Sequence, residues 1–448
     1  MSDQVSRAET GAAADMPGRI CLITMGCAKN EVDSAAMARA LSEAGYDTDA
    51  APEDADAVIV NTCSFIQSAT EESLEAVFEA ASLPRISEGR AALIVAGCMP
   101  ARYGDDLANE LTEARAFVPC SKEDDIVAIV DGLLGTDRAA AAARGPIAAQ
   151  AASPEGPAFA YVKISDGCDR FCSYCTIPAI RGRYHSFPFE DIYRDVERAC
   201  ENGTREIVLI AQDTGRWGAD LPDERDLAWL MEELADAFPS LWFRVMYLQP
   251  EGVTDRLLRA MASRTNICSY LDIPLQHVST PILRAMNRAG SAEKFHSLIE
   301  RIRNAVPDIT LRTTLIAGFP GETEEQFEEL CDFVAEEPFD YVGVFPYSRE
   351  EGTAAFDLPD QIEEDEKAER AQTLRDVADA CCTPRIAERI GRTMEVLVEG
   401  TEEDGQRYGR AQCQAPEVDG VTFVAEGEVG DIVTVTIADT LLYEMEGE

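Results

Sequence analysis

Three thiols close together are the strongest chemical feature of the chain. They lie in Gly167-Cys168-Asp169-Arg170-Phe171-Cys172-Ser173-Tyr174-Cys175, a C-x-x-x-C-x-x-C run. Thiolates on one tight loop can hold three irons of a four-iron cluster and leave the fourth iron open. S-adenosylmethionine can occupy that iron through its amino and carboxylate groups. An electron from the cluster can then break the sulfonium C–S bond and release a 5′-deoxyadenosyl radical. Tyr174, beside the last thiol, is placed to pack an aromatic ring against adenine.

A second set is dispersed along the chain. Cys27, Cys63 and Cys98 each close an apolar segment that reads as a buried strand. Ligands of parallel sheets bind outside the carboxyl ends of the strands, so three such cysteines converge on one site. The helix starts that follow offer free N–H groups, which favour thiolate. The set therefore suits a second four-iron cluster with an open iron. The residues alone also admit buried thiols acting as small hydrophobes. Among polar groups, Gln212 and Gln276 fall at strand ends, and Gly318 permits close backbone approach, so all three are candidates to touch the cofactor. Cys21, Cys120, Cys200, Cys268, Cys331 and Cys413 are isolated, Cys381 and Cys382 are adjacent, and His185, His277 and His296 form no metal set.

Three domains are needed to position these residues. Over residues 19–135 strands and helices alternate, predicting a parallel α/β domain of flavodoxin-like type. Strands are expected at 19–27, 57–65, 91–98 and 116–120, and helices at 29–46, 68–82, 106–113 and 124–134. An Ala-rich linker follows at 136–157. Six further strands, at 159–164, 206–212, 242–248, 270–275, 310–318 and 341–347, predict a partial (β/α)6 barrel within 158–390. The Cys168 loop then sits at its C-terminal mouth. From 391 to 448 helical periodicity is lost, and short strands at 394–399, 407–412, 422–425 and 432–438 predict a small all-β, OB-like barrel. Residues 1–18 read as an unstructured tail with no secretory signal.

The chain has 448 residues and a net charge of −44, from 83 acidic and 39 basic residues. That balance argues against a large nonspecific nucleic-acid surface, and it either favours a basic partner or reflects a proteome-wide acidic bias. No apolar run is long enough to span a membrane, and reduced cysteines suit a cytoplasmic protein.

On these motifs the chain resembles the methylthiotransferases, radical S-adenosylmethionine enzymes with a C-terminal TRAM domain. The resemblance covers nearly everything from about residue 19 onward. Met25-Gly26-Cys27-Ala28-Lys29-Asn30, Asn61-Thr62-Cys63 and Gly97-Cys98-Met99-Pro100-Ala101-Arg102 are similar to the family's three N-terminal cysteine motifs. The resemblance implies two [4Fe-4S] clusters, with Cys27, Cys63 and Cys98 holding the second. That cluster presents a sulfur which is methylated by one S-adenosylmethionine. A second S-adenosylmethionine, cleaved at the first cluster, gives the radical that removes a substrate hydrogen.

One branch of the family acts on an adenosine of transfer RNA, the other on the β-carbon of an aspartate in small-subunit ribosomal protein twelve. Asp272-Ile273-Pro274-Leu275-Gln276-His277, Val342-Gly343-Val344-Phe345-Pro346-Tyr347-Ser348 and Ala415-Pro416-Glu417-Val418-Asp419-Gly420 resemble the second branch. So does the charge: residues 392–448 hold three basic residues (Arg392, Arg407, Arg410) against fourteen acidic ones. The expected partners are that basic ribosomal protein, free or on the ribosome, and an electron donor such as flavodoxin or ferredoxin. The sulfur donor is left open. A transfer-RNA enzyme and a non-catalytic iron–sulfur carrier are the competing readings.

Overall fold

The computed structural model describes residues 18–136, 138, 158–337 and 339–448. The expected tail, except for Gly18, and most of the expected linker lie outside the described residues.

The N-terminal domain is a parallel sheet in the order β1 (Ile20–Thr24), β2 (Ala57–Thr62), β3 (Ala92–Gly97), β4 (Ala116–Pro119). β2 and β3 are buried on both faces, as their unbroken Val, Ile and Ala content requires. On one face pack α1 (Ala28–Glu43) and α4 (Ile126–Leu134). On the other pack α2 (Gln67–Ser82) and α3 (Cys98–Glu110). A sheet whose connections all step in one direction would carry its crossover helices on one face. The explanation lies at Asp47, which makes a parallel bridge with Arg19 on the outer edge of β1. Ile20 N donates to Asp47 O at 2.7 Å, and Asp47 N donates to Gly18 O at 3.0 Å. Asp47 is thus a strand reduced to a single bridge. With it counted, the order is the 2-1-3-4-5 of the flavodoxin type, which reverses direction beside β1. α3 starts at Cys98, earlier than the expected 106. Pro100 is tolerated in its first turn, while Gly104, at φ 52, breaks it further on.

The central domain has six parallel strands in two runs. The first is β5 (Phe159–Lys163), β6 (Glu206–Ile210), β7 (Trp242–Val245). The second is β8 (Tyr270–Asp272), β9 (Thr310–Ala317), β10 (Tyr341–Pro346). A bridge between Phe243 and Ile267 joins the runs. Val162, Ile207, Leu209, Phe243 and Leu271 face outward into the helical layer. Tyr161, Val208, Ile210 and Tyr270 face the lumen, where Ala28 and Val32 of α1 join the same core.

The C-terminal barrel is closed and made of β11 (Thr393–Thr401), β12 (Arg407–Ala411), β13 (Thr422–Val424), β15 (Glu444–Gly447) and β14 (Ile432–Leu441) in that spatial order. β15 was not expected, because Glu-Met-Glu-Gly carries a single apolar residue. This barrel seals the lumen at the strand-start end. Tyr270 Oη donates to Asp419 at 2.8 Å, and Tyr161 Oη donates to Glu417 at 2.7 Å. Glu206 is fully buried between Arg244 and Arg410, each at 2.7 Å. Burial opposes its charge, yet the two guanidiniums hold its carboxyl below the ordinary value. Among the described residues no helix is long and apolar enough to cross a membrane.

Candidate functional site: two cysteine sets across a domain seam

The Cys168 loop leaves the mouth of the partial barrel and is pinned from outside by the turn after the short helix Thr280–Ala285. Ser173 N donates to Met286 O at 3.0 Å, and Ser173 Oγ donates to Ala285 O at 2.7 Å. Asn287 Nδ2 donates to Phe171 O at 2.9 Å. Arg288 donates to Pro274 O at 2.7 Å and reaches Cys172 Sγ at 3.8 Å, which places a cation against the loop. Burial pushes the Cys175 thiol up to about 12 and also raises Cys168. Free thiols here stay protonated, and a metal must displace the protons.

Tyr174 packs against the cluster of Ile282, Met286, Phe319, Tyr347 and Ala355, close to Cys172. Gln212, past the end of β6, has a buried Oε1 with no hydrogen-bond partner, as an acceptor awaiting a ligand would. Gln276 holds φ 70, a strained value for a side-chain-bearing residue, and its backbone still pairs with β9. Gly318 is explained without a ligand. Its N–H donates to Glu322, and a Cβ there would lie 2.7 Å from Lys367 Cγ. His277 is buried, its Nδ1 accepts from Val278 N and Ser279 N at 2.9 Å, and it contacts no cysteine.

Cys27, Cys63 and Cys98 stand at the carboxyl ends of β1, β2 and β3, as their spacing predicts. Two asparagines hold the loops together. Asn30 Nδ2 donates to Met25 O at 2.9 Å and Thr62 O at 3.0 Å, and Asn61 Nδ2 donates to Asn30 O at 3.0 Å. Gly26, at φ 94, is so close to the next loop that a Cβ would lie 2.4 Å from Cys63 Cβ. Burial raises the Cys63 thiol to about 11. Cys98 is brought down to about 7, first by a hydrogen bond with Cys120 and then, against burial, by the charge of Arg181. Cys120, isolated in sequence, is therefore a neighbour of this set. The bridge follows from β4, whose end lies next to that of β3.

Charged groups join the two sets across the domain seam. Lys163 Nζ donates to Asp33 at 2.6 Å and Asp166 at 2.7 Å. Arg181, in the short helix after Cys175, lies 2.8 Å from Asp33, donates to Asn30 Oδ1 at 2.8 Å and reaches Cys98 Sγ at 3.7 Å. Thr176 Oγ1 donates to Phe65 O at 3.0 Å, tying the radical-type loop to the Cys63 loop. Buried Glu350 accepts from Gln67 N at 2.7 Å and from Arg102 at 2.8 Å, while Arg102 also donates to Ser64 O at 2.9 Å. Long-range pairs of this kind have no signature in spacing, and sequence reading passed over Asp33, Arg181, Arg288 and Glu350.

Among the described residues, no three His, Cys, Asp or Glu side chains converge tightly enough for a single metal ion.

Residues 19–119 match the model of uncharacterized protein family UPF0004, residues 162–334 the radical SAM superfamily, and residues 390–448 the TRAM domain. Among solved structures, the radical S-adenosylmethionine methyltransferase TsrM from Kitasatospora setae, with cobalamin and a [4Fe-4S] cluster bound, is similar at TM-score 0.57. Its identity is 14%, and the match covers 76% of this chain and 77% of that one. The cobalamin-dependent radical enzyme OxsB follows at TM-score 0.51 and 11% identity, covering 82% and 56%. These likenesses speak to the fold. A radical SAM domain of this kind uses a [4Fe-4S] cluster and S-adenosylmethionine. The curated relatives are much nearer. Ribosomal protein uS12 methylthiotransferase RimO of Trichlorobacter lovleyi is 39% identical, covering 96% of this chain and 98% of its own. Its namesakes in Geobacter sulfurreducens and Clostridioides difficile are each 40% identical, with the same two coverages. Likeness at that level, running unbroken through all three domains, makes this chain a member of the RimO methylthiotransferase family of radical S-adenosylmethionine enzymes.

Proposed function

We propose that this chain adds a methylthio group to the β-carbon of an aspartate in small-subunit ribosomal protein uS12. In this reading Cys168, Cys172 and Cys175 hold the cluster that binds S-adenosylmethionine, and Cys27, Cys63 and Cys98 hold a second [4Fe-4S] cluster. When bound, the first supplies the electron that cleaves S-adenosylmethionine and the second supplies the sulfur. Tyr174, Gln212 and Gln276 line the mouth where S-adenosylmethionine would lie. Arg288 sets a positive charge beside Cys172.

The observation that carries the reading is the seam itself. Arg181 touches Cys98 while following directly on the Cys168 loop, and Thr176 grips the Cys63 loop. These contacts bring the loops of the two sets to one seam, the arrangement that passing a substrate radical on to sulfur would require.

The TRAM-domain charge supports a protein substrate. Its three cations are all engaged: Arg392 with Asp308 at 3.6 Å, Arg407 with Glu428 at 3.9 Å, Arg410 with Glu206 at 2.7 Å. Arg410 is buried and committed to Glu206, which leaves two exposed cations for a phosphate backbone, whereas the acidic surface suits a basic ribosomal protein.

The test is to incubate reconstituted enzyme with uS12, S-adenosylmethionine, sulfide and a flavodoxin-type reductant. The expected product is uS12 heavier by about 46 Da at one aspartate, a methylthio group in place of hydrogen. Unmodified uS12, with methylthiolated adenosine formed in transfer RNA instead, overturns the reading.

A further inference from the structure

Almost every cation on the seam already has its carboxylate. Lys163 and Arg181 share Asp33 and Asp166. Arg170 takes Asp213 and Glu251, Arg102 takes Glu350, and Arg312 takes Asp272 and Asp419. Lys29 is different. It lies in the first turn of α1, just past Cys27, and its Nζ rests 3.1 Å from the ring centroid of Tyr247. Among the described residues no carboxylate comes within ion-pair distance of it.

The aromatic platform is itself held in place at a cost. Tyr247 follows β7 with φ 61, outside the range that side-chain-bearing residues prefer. Its N–H donates to Asp272 Oδ2 at 3.1 Å, and its carbonyl accepts from Thr214 Oγ1 at 3.2 Å. The ring is thereby aimed at Lys29; both side chains are half-buried, and a cation–π contact offsets only part of what an ammonium loses as water is drawn away. A carboxylate is the partner this ammonium lacks among the described residues.

We infer that Lys29 receives the side-chain carboxylate of the substrate aspartate and so selects that residue for modification. The inference rests on the uS12 reading above. Lys29 starts the helix just past Cys27 and reaches across to Tyr247 at the end of a barrel strand, so its ammonium lies where the N-terminal domain meets the mouth of the barrel. A nucleobase offers no anion for it. An asparagine side chain fills the same space without the charge.

The experiment measures binding of uS12, and of uS12 with its modified aspartate replaced by asparagine, to the holoenzyme loaded with S-adenosylmethionine. Wild type is expected to prefer the aspartate form by on the order of 30-fold, the scale of one confined charge pair. Lys29→Met should bring affinity for the aspartate form down to that for the asparagine form. Lys29→Arg, which keeps the charge, should retain most of the preference. Iron content and circular dichroism establish that each variant is folded and loaded. A Lys29→Met enzyme that still prefers aspartate overturns the inference. So does a loss of S-adenosylmethionine affinity with the aspartate preference intact, which would make the cofactor's own carboxylate the partner of Lys29. Wild-type enzyme that leaves uS12 unmodified overturns the substrate reading first, and is told apart by that absence of product.

Discussion

Arg181 Nη1 lies 2.8 Å from Asp33 Oδ2, and this ion pair links the loop of one cysteine set to the helix that follows the other. Asp33 belongs to α1, which begins just after Cys27, and Arg181 follows the Cys168 loop. Both side chains are nearly inaccessible, at 2% and 6% of their side-chain surface. Burial opposes the charge of Arg181, but Asp33 and Asp166 keep it firmly protonated. Arg181→Met should leave Asp33 with Lys163 alone and loosen the seam. The expected loss is about 3 kcal/mol, the scale for breaking a buried pair. It is read as a lower denaturation midpoint, and iron bound by the Cys27 set should fall with it.

The assignment of ligands separates in two triple variants. Replacing Cys168, Cys172 and Cys175 by alanine should remove about four irons per chain and abolish 5′-deoxyadenosine formation. Replacing Cys27, Cys63 and Cys98 should also remove about four irons but leave reductive cleavage of S-adenosylmethionine in place. Equal loss of cleavage in both variants would show that the sets do not act separately.

Gly26→Ala tests the crowding between the first two loops. The new Cβ would meet Cys63 Cβ at 2.4 Å, with φ 94 strained besides. A cost of about 2 kcal/mol is expected. Mössbauer spectra should show one cluster type depleted, while Gly26→Ser should fare no better.

Arg410 joins the TRAM barrel to the floor of the radical SAM domain. Arg410→Met leaves Glu206 with Arg244 alone and Glu399 without its guanidinium. A destabilisation of about 3 kcal/mol is expected, with faster proteolysis between the two domains as its local sign. The double variant Arg410→Met, Glu399→Gln should recover part of the loss, because Glu206 keeps Arg244 and Glu399 no longer buries a carboxylate without its cation.

Asp195 offers a test by pH. Burial raises its carboxyl to about 7, more than Arg198 at 3.0 Å lowers it. The folded chain thus binds a proton that the unfolded chain releases near pH 4. Stability from this group is complete below about pH 4, declines as pH rises, and is lost above about 7. Asp195→Asn should therefore match wild type at pH 4 and exceed it by about 2 kcal/mol at pH 8, seen in thermal midpoints at the two pH values.

Much of the site was legible in the sequence because chemistry and periodicity coincide there. Cys27, Cys63 and Cys98 recur once per strand–helix unit, which alone puts all three at strand ends, and the Cys168 loop is contiguous. What was not legible depends on contacts that leave no local pattern. The single-bridge strand at Asp47 is too short for any alternation. The helix beginning at Cys98 is masked by Pro100 and Gly104. Lys163 and Asp33 are separated by 130 positions, and nothing near either residue announces the other. Cys120 reads as a lone thiol until β4 pairs with β3 and carries it to Cys98.

Glu350 fastens the Cys63 loop through Gln67, 283 positions upstream. On a ribosome adding about 5–20 residues per second, that gap takes on the order of 15–60 s. Throughout that interval the nascent N-terminal domain carries its three cysteines on a seam whose other half has not been synthesised. A chain truncated before Glu350 would therefore lack this fastening of the Cys63 loop and carry the three thiols on half a seam.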